Sequence, residues 1–119
     1  MKQAKIIQAY KATEEIAKNT NLSLDTLWTF YRLRKALLPH WEFQVEREEA
    51  LKNKYSQYAD ENGTISGEPY KEYLKEFNEL LNLDKDVEFE KVKLVLQEGM
   101  GITIQMMESL DDFVEFTHE

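Results

Sequence analysis

With 119 residues, of which 42% are hydrophobic and 32% charged, the chain suits one domain that buries roughly two-thirds of its extended-chain surface. It contains no cysteine, which excludes disulfides, thiolate nucleophiles and cysteine-ligated metals and fits a reducing compartment. The net charge of −8 is uneven: residues 1–54 hold ten Lys/Arg against seven Asp/Glu, and residues 55–119 hold five against sixteen. Such an acidic second half disfavours phosphate backbones; it fits a basic partner, packing of the two halves on each other, or a solvated face that aids solubility.

The first segment, "MKQAKIIQAYKATEE", carries charge throughout with no long apolar run, so neither a signal peptide nor a membrane span is expected there. Ile6, Ala9, Tyr10, Thr13, Ile16 and Ala17 recur at three- and four-residue steps, which predicts an amphipathic helix over 3–19. It stops at Asn19-Thr20-Asn21. Ser23 then suits an N-cap, with Asp25 in the positive first turn, and a long second helix is expected over 23–57. Its first half is apolar over much of its circumference and should be buried; its second half, "EREEALKNKY", keeps a thin stripe. Pro39 interrupts it by removing a helical hydrogen bond. Because the apolar spacing runs from Leu37 through Trp41 to Val45 in unchanged phase, one kinked helix is favoured over two.

A turn is expected over 59–67, where "DENGTISGEP" resembles the middle of a calcium loop. With Gly63 at the loop's sixth position, however, Tyr58 stands at the first and Pro69 at the twelfth, where carboxylates are required. No calcium site is expected. Asn62-Gly63 reads as a tight reversal, and Ser66-Gly67-Glu68-Pro69 as a helix start. Tyr70, Tyr73, Leu74, Phe77, Leu80 and Leu81 then predict a helix over 68–82. Alternating Val87/Phe89 and Val92/Leu94/Leu96 predict an extended stretch over 87–96, with a phase shift near Glu90-Lys91. Any sheet would be a minor hairpin or form between chains. Thr103 can cap a last helix over 103–116, with Met106, Met107, Leu110, Phe113 and Val114 on its apolar face. The expected fold is one mainly α domain over 1–119: a four-helix arrangement with a long kinked second helix and one short extended segment before the C-terminal helix.

Chemistry is sparse. His40 and His118 would have to meet, with carboxylates, to hold a metal, and His40 fits a partly buried helix residue better. Glu48/Glu49 and Asp111/Asp112 lie in charge-rich runs where a solvated face is the default. There is no glycine-rich phosphate loop and no serine nucleophile motif. No catalytic, cofactor-binding or metal-binding residue is assigned, and no cofactor is expected. Trp28, Phe30, Tyr31 and Trp41, near Arg32, Arg34 and Lys35, could stack bases, but they lie on the helical stripe and core packing explains them better; no nucleic-acid partner is expected.

The order of a short helix, a long one ending in "EREEALKNKY", an "ENG" turn, "YKEYLKEFNELLNLDKDVEFEKVKL" and a closing "GITIQMMESLDDFVEF" resembles a family of small uncharacterised proteins encoded by phages and prophages of gut and Gram-positive bacteria. The resemblance implies an accessory or virion-associated protein, located in the host cytoplasm or on the virion, that acts by contact rather than catalysis. Two function classes follow: an assembly factor that self-associates through the long helix, and an acidic inhibitor or nucleic-acid mimic that occupies a basic host protein. An enzyme is a disfavoured third. Trp28, Phe30, Tyr31, Trp41 and Phe43 are the candidate interface, and the strand-like segment 87–96 adds an unpaired edge. A homodimer through the second helix is expected, with the acidic halves outside.

Overall fold

The computed structural model describes residues 1–19 and 21–118. The first helix, α1 (Gln3–Asn19), buries Ile6, Ala9, Tyr10, Thr13 and Ile16, the stripe its spacing predicts; Ala17 falls outside it and is exposed. Of the predicted break, Thr20 lies outside the described residues. The second helix, α2 (Leu24–Tyr55), is a single rod of 32 residues followed by a 3-10 turn, Ser56–Tyr58. Its start is fixed by Ser23, which has an extended backbone and whose hydroxyl accepts the Thr26 amide at 3.3 Å. At 1.5 Å per residue α2 is about 48 Å long, which accounts for most of the 54 Å long axis of the molecule.

The helix runs unbroken through Pro39, so the two-helix alternative does not hold. Both Pro39 and Lys35, whose carbonyl would have bonded the missing amide, are on the exposed side. The orphaned carbonyl therefore faces water, which lowers the cost of the proline.

The principal core gathers Ile6, Ala9, Tyr10 and Ile16 of α1, Phe30, Leu33 and Leu37 of α2, and Met106, Leu110, Phe113 and Val114 from the end of the chain. A smaller one lies at the far end of α2, where Leu51 and Tyr55 meet Leu80 of α3 (Glu68–Leu81), flanked by Phe43, Ile65, Tyr73 and Phe77. Tyr70 and Leu74, part of the predicted apolar series of α3, remain exposed.

In the loop between α2 and α3, the Asp60 carboxylate accepts the backbone amides of Asn62 and Thr64 at 2.8 and 2.9 Å. The oxygen that a calcium loop would offer to metal instead ties off the turn. Gly63 (φ 78°) and Gly67 (φ 69°) supply the positive angles that this turn and the entry to α3 demand.

The last third of the chain departs from expectation. Of the predicted extended stretch 87–96, β1 spans Val92–Leu96 alone; the burial pattern places its phase shift between Glu90 and Lys91, as the alternation implied. The predicted helix 103–116 is shorter: α4 covers Ile104–Leu110, capped by the Thr103 hydroxyl on the Met106 amide at 3.1 Å. Val114–His118 forms a second strand, β2, parallel to β1 in the register Val92↔Val114 to Leu96↔His118. Val114 and Phe116 alternate with Glu115 and Thr117, a two-residue period that the adjoining helical pattern masked. The sheet is thus neither a hairpin nor an inter-chain pair, and β1 is not wholly unpaired. α4 is the crossover that a parallel connection requires.

Candidate contact surface on the second helix

The five aromatic residues of the candidate interface do not share one surface. Phe30 is 4% exposed and belongs to the principal core. Trp41 is half-buried, its indole stacked on Tyr10 with centroids 4.8 Å apart and an interplanar angle of 13°. Lys11 and Arg34 flank this pair: the Lys11 ammonium lies 6.0 Å from the Trp41 ring and the Arg34 guanidinium 5.5 Å from that of Tyr10. Phe43 packs against the smaller core under the Lys85 ammonium, which stands 4.1 Å from its ring. These three serve the fold.

Trp28 and Tyr31 are different. They are 59% and 52% exposed and stack on each other at 5.2 Å. Leu24, 82% exposed, and Leu27 stand on the same side of the helix, and Leu38 and Val45 continue it as further exposed apolar residues. The buried row of α2, Phe30, Leu33, Leu37 and Gln44, lies roughly 130° around the helix axis from this stripe, at 100° per residue. Sequence reasoning placed the contact surface on the aromatics and passed over Leu24, Leu38 and Val45. The available signal was their seven-residue spacing with Tyr31, which sets them at one recurring position along a helix.

Elsewhere the polar groups serve structure. Glu76 accepts the Lys54 ammonium at 2.7 Å and the Tyr55 hydroxyl at 2.6 Å. The hydrogen bonds from Lys54 and Tyr55 hold its carboxyl below the ordinary carboxylate range. The Tyr55 phenol is in turn pushed up to about 12 by that hydrogen bond, by burial and by the charge of Glu76. Lys5, 2.9 Å from Asp111, lowers that carboxyl by hydrogen bonding to it and closes α4 onto α1. His40 is a half-buried helix residue whose carbonyl accepts the Gln3 side-chain amide at 3.0 Å. Among the described residues no group of three or more His, Asp or Glu is placed to hold a metal ion, and none of the helices is long and apolar enough to cross a membrane.

An open groove of about 590 Å³ runs between α1 and α4. Its polar lining, Gln8, Lys11, Glu15, Thr103, Gln105 and Ser109, is exposed or half-buried, without the desolvated acid and base pair that proton transfer requires. No family model matches the chain, and neither curated proteins nor solved structures provide a significant match.

Proposed function

We propose that this protein acts by contact rather than by catalysis, as an accessory or assembly factor that self-associates through α2. The observation that carries this reading is the exposed Trp28–Tyr31 stack, set in one stripe with Leu24 and Leu27. Two large aromatic rings held together in water retain apolar area that association would bury. The resemblance to phage and prophage proteins supports the same role, exercised in the host cytoplasm or on the virion. A symmetric homodimer is the simplest closed assembly, and repulsion between the acidic second halves favours an arrangement that leaves them outside the contact.

Sedimentation at micromolar concentrations tests the reading. A species of twice the 14.1 kDa chain mass is expected, shifting to the monomer in Trp28→Ala and persisting at high salt. A single species at the chain mass across that range overturns it. The uneven charge keeps one alternative in view, an acidic inhibitor or nucleic-acid mimic bound to a basic host protein; its binding would weaken steeply as ionic strength rises.

A further inference from the structure

We propose that the exposed stripe of α2 is covered by the same helix of a second copy, running antiparallel, with Lys35 of each copy beside Glu42 of the other. This inference rests on the self-association reading and specifies its partner and geometry. Leu24, Tyr31, Leu38 and Val45 recur every seven residues, and all four are exposed. Between them, at the alternating three- and four-residue steps of a coiled-coil seam, stand Trp28, Lys35 and Glu42. Such a seam matches the surface of another α-helix carrying the same repeat, and the chain itself carries one.

Charge selects the orientation. A parallel pair in register would set Lys35 against Lys35 and Glu42 against Glu42 inside the seam, two like-charge contacts in a place shielded from water. Reversing one helix removes both. With Trp28 against Val45 of the second copy, Lys35 falls against Leu38 and Glu42 against Tyr31, and Lys35 lies about 6 Å along the axis from Glu42 of the second copy. Lys35 and Glu42 are both exposed, and among the described residues neither is in an ion pair of its own chain. The flanks agree with this choice, since Arg32 and Arg34 precede the middle of the stripe and Glu46 and Glu48 follow it. An antiparallel pair sets basic ends against acidic ones. Pro39 stands beside the seam rather than in it, so its ring does not block the approach.

The chain lacks cysteine, so a single Asp25→Cys spin label reports the orientation directly. Pulsed electron resonance on the dimer should give a label separation of about 35 Å or more, because the two sites lie 23 residues apart along antiparallel axes at about 1.5 Å each. Charge exchange gives a second readout by sedimentation. Lys35→Glu and Glu42→Lys should each weaken dimerisation by about tenfold or more, and the two combined in one chain should restore it, with circular dichroism confirming that each variant folds. A dimer with labels under about 20 Å apart, or one indifferent to the single exchanges, is parallel or uses another face and overturns the orientation while leaving self-association intact. A monomer at all concentrations overturns both, and leaves the stripe to an unlike partner.

Discussion

At the scale of single residues, the Tyr55–Glu76–Lys54 group shows how one acidic side chain ties α3 to α2. Tyr55 is buried, meets the ring of Tyr73 edge-on at 5.7 Å, and donates to a carboxylate that Lys54 also holds. Because the folded chain keeps Glu76 and Asp111 below the ordinary carboxylate range, their contribution is present above that range and lost as pH falls through the folded-state values. Tyr55 works in the opposite direction. Its phenol is held up to about 12 from an ordinary 10.0, so its contribution is complete below the lower value and lost as pH rises toward the higher. Stability should therefore decline at both extremes. Glu76→Gln keeps an acceptor for Tyr55 but loses the ion pair and the charged hydrogen bond. It should cost about 1 kcal/mol near neutral pH, the value of a charged hydrogen bond discounted for partial exposure. It should also flatten part of both limbs, measured by urea unfolding at acid, neutral and alkaline pH; unchanged limbs would assign the pH dependence elsewhere. The sequence gives little warning of this pairing. Glu76 sits in "YKEYLKEFNELL", a run whose spacing resembles any solvated helix face, and its partner Tyr55 lies 21 residues earlier.

At the scale of elements, Pro39 provides the sharpest test. The proline removes one bond from an otherwise continuous helix at a position where solvent can satisfy the carbonyl left over. Pro39→Ala should restore the Lys35 bond and raise stability by about 1–3 kcal/mol, the upper end being the interior propensity difference. A fall instead would mean that the packing of α1 and α3 along the two halves of α2 requires the proline. Long elements of unmixed period were legible in the sequence, as α1, α2 and α3 illustrate. The strand β2 was not, because "DDFVEFTH" supplies few residues to establish a period and 17 residues separate it from the end of its partner β1. Such non-local pairing leaves no local trace beyond alternation. The contact stripe was half legible for a related reason. The first half of α2 carries apolar residues on most sides, so the sequence alone could not separate Phe30, which the principal core encloses, from Trp28 and Tyr31, which stay exposed.

At the scale of the molecule, the two apolar clusters meet through a polar layer, and this predicts unequal stability along the long axis. Gln3 and Gln44, both buried, join side chain to side chain at 3.2 Å, while Gln3 Oε1 lacks a hydrogen-bond partner within the described chain. A buried acceptor left so costs about 1–3 kcal/mol, which makes this layer a weaker joint than either core. Around it the N-terminus is stitched to the chain leaving α3: Gln3 donates its amide to Leu83, Lys85 donates to Met1, and Lys2 pairs with Asp84. Beyond the layer, α3 depends on Leu51, Tyr55 and Leu80 with their half-buried neighbours. Leu80→Ala should remove about 2–4 kcal/mol from that cluster, enough to open α3 ahead of the rest. Hydrogen exchange should then show amides of residues 68–81 losing protection while those of α1 and the first half of α2 keep theirs. Since the exposed stripe from Leu24 to Val45 rests mainly on the principal core, sedimentation of the same variant should still find the dimer. One common exchange rate along the whole chain would show instead that the polar layer couples the two ends into a single cooperative unit.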